Sequence, residues 1–137
     1  MDLPNKDWAL LTETFRRKLR AIFDDLEGHG LELSVVEGFR SVKRQQWLYA
    51  QGRTRSGPIV TQKDGIVRKS NHQSGNAADV IFVDASGHRY WPPLHVEDGM
   101  GLSPEWDLLS RSAKAHEITW GGLWKMRDTP HLELTIT

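Results

Sequence analysis

The stretch SNHQSGNAADVIFVD, residues 70–84, combines the pattern of a β-strand with an acidic residue inside that strand. Residues 77–83 form an apolar run that is typical of a buried β-strand. Asp79 nevertheless lies within that run, seven residues after His72. Burying a carboxylate without a partner costs several kcal/mol. The sequence therefore predicts that Asp79 pairs with a basic side chain, a hydrogen-bond network or a metal ion.

A helix is predicted upstream of this stretch, near the start of the chain. Apolar side chains recur every three or four residues between Trp8 and Leu26, which is the pattern of an amphipathic helix. We expect this helix to begin near Asn5 or Asp7 and to be stopped by Gly28 and Gly30. The apolar stripe is interpreted as core packing.

The remaining patterns predict an α+β fold, because helices and strands are mixed along the chain. The first half of the chain is predicted to contain a strand in 31–39, a helix capped by Ser41 that runs to about Ala50, and a long surface loop over 52–71. The strand 77–83 follows, and then an irregular segment over 85–101. The last part is predicted to contain a helix that begins at Ser103 and Pro104 and ends near His116, and two strands in 117–120 and 131–136 joined by a glycine turn.

Composition limits the classes of function. The chain has 137 residues, which suggests a single domain over 1–137, and its 18 basic and 18 acidic residues cancel. This balance argues against a dominant electrostatic footprint for nucleic acid or membranes. The absence of cysteine excludes disulfides and thiolate ligands. No apolar run reaches 18 residues and the first residues do not resemble a signal peptide, so we expect synthesis in the cytoplasm and no membrane insertion.

A second histidine is expected near Asp79 from the segment RDTPHLELTIT, residues 127–137. His131 stands at the start of the last predicted strand, and proline favours extended geometry at Thr129, so Asp128 is held at a fixed offset from His131. His72, Asp79 and His131 together would supply two imidazoles and one carboxylate, a set that suits zinc with one position open for water.

The alternative is that each histidine is a surface residue or a satisfied core residue. Four further histidines lack an acidic neighbour at a matching offset: His29, His88, His95 and His116. The dipole of the preceding helix is an adequate explanation for His116.

Three motifs carry a family resemblance. SNHQSGNAAD resembles the S-x-H-x-x-G-x-A-x-D motif of zinc peptidases of the D-alanyl-D-alanine carboxypeptidase and VanX/VanY type, and DTPH is similar to the second motif of that family. EGFRSVKRQQWLYAQGRT resembles its arginine-bearing segment. The resemblance extends over residues 36–134 and is greatest to the phage endolysin branch, the L-alanyl-D-glutamate peptidases. It implies a small single domain with a central antiparallel sheet and flanking helices, as in the Hedgehog and DD-peptidase folds.

The resemblance also implies roles for the site residues. His72, Asp79 and His131 would be the ligands of one catalytic zinc ion, and Asp128 the general base. Arg40 would stabilise the oxyanion of the tetrahedral intermediate. The alternatives are that Asp128 only forms the turn before Thr-Pro and that Arg40 only forms a salt bridge at the second helix.

Four other positions are candidates with open alternatives. Gln45 matches a family glutamine that could bind substrate, pack or anchor a loop. Ser70 could bind a substrate carboxylate or cap its turn, and Trp120 could form a wall of the site or pack in the core. Glu133 lies on the same strand face as His131, where it would either orient that ligand or be solvated.

The implied function is a zinc metallopeptidase that cleaves the L-alanyl-D-glutamate bond of the peptidoglycan stem peptide. A D-alanyl-D-alanine carboxypeptidase is the nearest alternative, and the loop 53–69 offers several cations for a terminal carboxylate without deciding between the two. A non-catalytic, zinc-containing binding or signalling module is the alternative from another class. We expect a monomeric phage lysis enzyme without a separate wall-binding domain, which binds no nucleic acid and acts in the periplasm or cell wall after release.

Overall fold

The computed structural model describes residues 3–97 and 99–136, so Asp98 of the predicted irregular segment lies outside the described residues. The helices are α1 (Glu13–Glu27), α2 (Val42–Ala50) and α3 (Pro104–Ala115), and the strands are β1 (Glu32–Glu37), β2 (Ala77–Val83), β3 (Arg89–Tyr90), β4 (Ile118–Trp120) and β5 (His131–Leu134). Short 3-10 turns occupy Trp8–Leu10, Asn71–Ser74 and Gly121–Leu123. Within the described ranges, no helix has both the length and the apolar character needed to cross a bilayer.

The strands form one antiparallel sheet, which confirms the predicted α+β fold. Over the described residues its order is β1-β2-β5-β4, with β3 paired to β2. The strand β2 is therefore central, with β1 on one side and β5 on the other. The register places Asp79 opposite Glu37 of β1 and opposite His131 of β5.

Strand alternation separates the hydrophobic core from the acid on β2. Ala78, Val80 and Phe82 belong to the core cluster, together with apolar side chains of α1 and α3. Successive side chains of a strand point to opposite faces, so Asp79 lies on the face that α1 and α3 do not cover. This alternation explains how an apolar strand can carry a carboxylate.

The first helix begins later than predicted. Thr12 has extended backbone angles and its hydroxyl accepts a hydrogen bond from the Phe15 amide, so α1 begins at Glu13. The preceding residues form a separate 3-10 turn capped by Asp7. The Thr12 amide donates to the Gly75 carbonyl, 3.0 Å away, and this long-range contact breaks the apolar stripe into two elements.

Two other predictions need correction. Ser41 caps α2 as predicted, but the Ser103 hydroxyl donates to the Pro93 carbonyl instead of capping α3, although Pro104 does occupy the first turn. The segment 85–101 is not wholly irregular, because Arg89 and Tyr90 pair with the end of β2. A two-residue strand has no periodicity of its own, so it could not be recognised in the sequence.

Gly75 ends the 3-10 turn that carries His72, and its replacement gives a test of this packing. Its φ is +76°, and an added Cβ would lie 2.9 Å from the Leu10 carbonyl oxygen. Gly87 has a similar φ of +84° with open space around it. We expect Gly87→Ala to cost about 1–2 kcal/mol from backbone strain alone. Gly75→Ala should cost roughly 1–3 kcal/mol more because of the collision. Urea unfolding of the two variants measures the difference, and equal costs would contradict the close approach.

Candidate metal centre

Three side chains converge on the face of the sheet that the core helices leave uncovered. His72 comes from the 3-10 turn that precedes β2, Asp79 from β2 and His131 from β5. One potential ligand atom from each of them lies within 4.8 Å of the others. The sequence thus predicted a set of residues that the structure does bring together, although 59 residues separate the two histidines.

The orientation of His72 is fixed from both sides. Its Nδ1 lies 2.8 Å from the Gly38 carbonyl oxygen, which can only accept, so Nδ1 carries the hydrogen. The lone pair is then on Nε2, which lies 3.4 Å from Asp79 Oδ1. A capping box between Ser70 and Gln73 holds the turn that carries this ring.

His131 is held in the opposite tautomer. Its Nε2 lies 2.7 Å from Glu133 Oε1, so this nitrogen donates and Nδ1 faces Asp79 Oδ1 at 3.2 Å. The other oxygen of Glu133 accepts a hydrogen bond from Asn71. These contacts favour the interpretation of Glu133 as the residue that orients His131, over the solvated alternative.

The electrostatics of the three residues are those of a cation site. Burial raises the pKa of Asp79, but hydrogen bonds with His131 and His72 outweigh it and hold that pKa well below its ordinary value. Burial lowers the pKa of His131, while hydrogen bonds with Asp79 and Glu133 raise it to about 9. A metal ion that binds here displaces the proton from His131 Nδ1, and the ionised carboxylate and the two imidazole nitrogens are then a donor set that fits a divalent ion.

Asp128 lies beside this cluster. Its Oδ2 is 4.0 Å from His131 Nδ1, and its side chain is about half exposed, with a relative accessibility of 48%. Burial and the negative charge of Asp79 raise the pKa of Asp128 above its ordinary value. The Asp128 amide donates to the Gly121 carbonyl, and a Cβ at Gly121 would collide with the Asp128 carbonyl oxygen. The glycine turn predicted before β5 therefore brings Asp128 close to the site.

Arg40 lines the same cleft and is buried together with Glu37. Its Nε and one terminal nitrogen donate to the two oxygens of Glu37, at 3.2 and 3.0 Å, and its other terminal nitrogen donates to Gln45. Arg44 also donates to Glu37. The Arg40 guanidinium is 4.0 Å from Asp79 Oδ2. The structure thus contains the salt bridge that was the alternative role of Arg40, and it also places the guanidinium at the site.

Gln45 and Ser70 have contacts within the protein. Gln45 is fully buried, accepts from Arg40 and donates to the Lys63 carbonyl at 2.7 Å, so it anchors the loop after α2. The Ser70 hydroxyl accepts from the His72 amide, and Ser70 also lines the cleft. Its turn-capping role is observed, and the substrate-binding role stays a prediction for this largely buried side chain on the cleft wall.

Trp120 lies in the core, away from the three converging side chains. Its indole stacks on Trp106 with the ring centres 5.7 Å apart, and its N–H donates to the Thr129 carbonyl. Trp124 is the tryptophan that lines the cleft, with its ring centre 5.0 Å from that of His131. The sequence analysis missed Trp124, although it closes the same glycine-containing segment, TWGGLW.

Two further contacts were also missed. The pairing of Glu37 with Arg40 was not predicted. The sequence does contain a local signal for it, since Glu37 stands three residues before Arg40 in the segment EGFR. His116 does have an acidic partner, since its Nε2 lies 2.8 Å from Asp25 Oδ2, and Ser112 donates to the same oxygen. This cluster joins α1 to α3, and a separation of 91 residues hid it from any local pattern.

The cleft beside the cluster has a volume of about 400 Å³. One wall comes from the loop after α2, including Val60 and Lys63, and another from Trp124 and Asp128. Its polar groups come from the three converging side chains and their neighbours and from Gln51, Thr61, Gln62 and Lys63. The site therefore combines a candidate metal centre, a nearby carboxylate and room for an extended ligand.

Comparison with known proteins gives matches at several levels. A family model described as D-alanyl-D-alanine carboxypeptidase matches residues 64–134. The peptidoglycan L-alanyl-D-glutamate endopeptidase CwlK of Bacillus subtilis is 39% identical over 106 residues, which is 77% of this chain and 62% of CwlK. The chain thus spans less than two thirds of that relative.

Solved structures share the fold. The L-Ala D-Glu endopeptidase ChiX of Serratia marcescens superposes with a TM-score of 0.63 at 23% identity, over 95% of this chain and 84% of that one. A mutant of the vancomycin resistance D,D-pentapeptidase VanY in complex with Zn(II) superposes with a TM-score of 0.58 at 13% identity, over 92% and 73%. These structural similarities extend over nearly the whole described chain.

Proposed function

Because the chain belongs to the peptidase family described as D-alanyl-D-alanine carboxypeptidase, we propose that it is a zinc-dependent hydrolase of an amide bond in the peptide stem of peptidoglycan. The observation that carries this proposal is the convergence of His72, Asp79 and His131 beside the carboxylate of Asp128. The bond that we propose is L-alanyl-D-glutamate, supported by the relative with that activity at 39% identity.

We propose His72 Nε2, His131 Nδ1 and a carboxylate oxygen of Asp79 as the ligands of one zinc ion. Two imidazole nitrogens and one carboxylate leave a position open, as in catalytic zinc sites. A bound zinc ion supplies Lewis acidity and brings the pKa of a coordinated water to about 7. The contacts from Gly38 and Glu133 keep both rings in the tautomers that present these nitrogens.

Asp128 is proposed as the general base. Its carboxylate accepts a proton from the attacking water and passes it to the nitrogen of the leaving amine. In the metal-free chain burial and the charge of Asp79 raise the pKa of Asp128, and a carboxylate of higher pKa is the stronger base.

Arg40 is proposed to face the developing oxyanion. A guanidinium has five N–H bonds, and three of them donate to Glu37 and Gln45. Two N–H bonds of Arg40 remain for a ligand in the cleft. The buried contacts with Glu37 and Gln45 fix the orientation of the guanidinium, and donors that are fixed in advance stabilise a developing charge best. Ser70 is proposed to bind substrate polar groups where it lines the cleft, and Gln45 to act through its anchoring of Arg40. Trp124 replaces Trp120 as the proposed aromatic wall.

The description of the matching family model favours a second candidate, D-alanyl-D-alanine carboxypeptidase activity. Mass analysis of defined stem peptides after digestion separates the two. Free D-alanine as the released product would identify the carboxypeptidase, and a new amino-terminal D-glutamate would identify the endopeptidase. The same samples should be assayed for metal content, so that product and ion are measured together.

A non-hydrolytic, zinc-containing wall-binding module is the alternative from another class. The positions of Asp128 and Arg40 at the cleft favour hydrolysis, since a module that only binds has no need of a base beside the metal ligands. Turbidity of permeabilised Gram-negative cells tests this point. Binding to sacculi without clearing by the zinc-loaded protein would contradict the hydrolase.

The proposed setting is that of a lysis enzyme of the endolysin type, acting at the cell wall where its substrate lies. The three motifs that resemble the endolysin branch support this setting. We also propose that the protein is a monomer, and that it binds no nucleic acid since its net charge is zero. Sedimentation and a nucleic-acid binding assay test these two points.

Removal of the metal should be reversible. Chelation is expected to abolish hydrolysis of the stem peptide, because the chain then keeps the base but loses the Lewis acid. Addition of one equivalent of Zn²⁺ should restore the activity, whereas Mg²⁺ should not, because it prefers six oxygen ligands. Turnover that persists in the fully chelated protein would contradict the zinc assignment.

A further inference from the structure

Two basic side chains, Arg40 and Lys63, line the cleft in the part of the chain that the structure describes. They differ in whether an acidic side chain of the protein pairs with their charge. Arg40 is buried and donates two hydrogen bonds to Glu37, so its charge is compensated within the protein. Lys63 is exposed, and over residues 3–97 and 99–136 its ammonium forms no ion pair within 4.0 Å.

The other basic residues of the same loop do not line the cleft. Arg53 donates to the Tyr49 and Thr61 carbonyls and lies over the Tyr49 ring. Arg55 donates to the Trp47 carbonyl and lies over the Trp47 ring. Neither Arg68 nor Lys69 lines the cleft. Of the five loop cations that the sequence offered, the structure places Lys63 at the site.

Glu133, an acid of the cleft wall, does not form an ion pair with Lys63. The positive charge of Lys63 contributes to the lowered pKa of Glu133. The Oε1 atom of Glu133 accepts a hydrogen bond from His131, and its Oε2 atom accepts one from Asn71. Both oxygens of this carboxylate are therefore engaged in orienting the metal cluster. The Lys63 ammonium remains available to an anion that enters the cleft.

The backbone at Lys63 is fixed. Its carbonyl accepts a hydrogen bond of 2.7 Å from Gln45 Nε2, and its amide donates to the Thr61 hydroxyl. Gln45 is fully buried and also accepts from Arg40. One side chain thus sets the position of both cleft cations. A cation with a fixed backbone loses less conformational entropy on binding a ligand than one on a free loop.

We propose that Lys63 binds a free carboxylate of the substrate residue that leaves with the scissile nitrogen. This inference rests on the proposed function. Both candidate bonds place a carboxylate on that residue: a D-glutamate keeps one free carboxylate whichever of its carboxyls continues the chain, and a terminal D-alanine carries its own. The shared chemistry is therefore a carboxylate, and the experiment separates its two sources.

The test measures binding without turnover. In the zinc-loaded Asp128→Asn background, calorimetry compares acetyl-L-alanyl-D-glutamate monomethylamide, which has one free carboxylate, with the corresponding diamide. Lys63→Met removes the charge and keeps the side-chain length. We expect it to weaken binding of the carboxylate peptide by about 10- to 100-fold and to leave the diamide unchanged. Lys63→Arg should retain most of the affinity, and Arg68→Met, a change in the same loop outside the cleft, should have no effect.

A second arm repeats the comparison with acetyl-D-alanyl-D-alanine and its terminal amide. Lys63-dependent binding confined to this pair would assign the site to a terminal carboxylate, and dependence confined to the first pair would assign it to D-glutamate. Equal weakening of acid and amide peptides, or no weakening of either acid, would overturn the proposal. Turnover by the zinc-loaded wild-type protein is a separate readout, so its failure alongside Lys63-dependent binding would reject the hydrolase and leave the Lys63 site supported.

Discussion

Replacement of His131 by alanine is expected to remove the bound metal and with it all measurable hydrolysis. His131 supplies one of the three proposed ligands, and its loss leaves Asp79 with one histidine instead of two. Two remaining ligands are too few for tight zinc binding. Metal content after dialysis should fall from about one equivalent to near zero, measured by atomic emission on the same samples as the peptidase assay.

The same substitution should remove the stabilisation that zinc supplies. A ligand present at about a thousand times its dissociation constant stabilises a protein by about 4 kcal/mol. For a chain of this size, that corresponds to a melting temperature raised by roughly 10–15 °C. The wild-type protein should show this rise on addition of zinc, and His131→Ala should not. His88→Ala is the matched control, since that side chain is 80% exposed and lies outside the cluster. A His131 variant that keeps one equivalent of zinc would contradict the ligand assignment.

The proposed metal ligands could be predicted because the sequence carries their signal locally. An acid within an apolar strand, a histidine seven residues before it and a Thr-Pro-His step in the last strand are each visible in short segments. The strand period then explains why Asp79 and His131 share a face. The pairing of β2 with β5 brings them opposite each other, and this pairing is the step that a local pattern alone does not contain.

The parts that could not be predicted depend on contacts between distant segments. The start of α1 is set by Thr12 bonding to Gly75, and the partner of His116 is Asp25 on another helix. The choice of Lys63 among five loop cations likewise depends on where Gln45 holds the loop. A helix cap or a salt bridge can be predicted from a short segment only when both partners lie in that segment. These three contacts join distant segments, so the tertiary structure is needed to find them.

Asp128→Asn is expected to retain zinc and the fold but to lower kcat by about 10²- to 10⁴-fold, the usual contribution of general acid–base catalysis. Asparagine has nearly the same shape as aspartate, and Asp128 contacts the cluster only at 4.0 Å from His131. The backbone hydrogen bonds that fix this turn, from Asp128 to Gly121 and from His131 to Asp128, do not use the side chain. Metal content and melting temperature should therefore stay close to wild type.

The pH profile distinguishes a base from a merely structural acid. Only the ionised form of Asp128 can accept the proton, so activity should fall as the pH drops through the pKa of this group. In the metal-free chain burial and the charge of Asp79 raise that pKa, and a zinc ion bound beside it would lower it, so the acidic limb of kcat/KM is measured on the zinc-loaded protein. In Asp128→Asn the acidic limb of the residual activity should move away from its wild-type pH, because the group proposed to accept the proton is gone. Asp107→Asn, on the outer face of α3 and paired with Arg111, is the control that should leave the profile unchanged. Because loss of a structural contact would lower activity equally at every pH, a variant that keeps the acidic limb at its wild-type pH would show that another residue takes the proton.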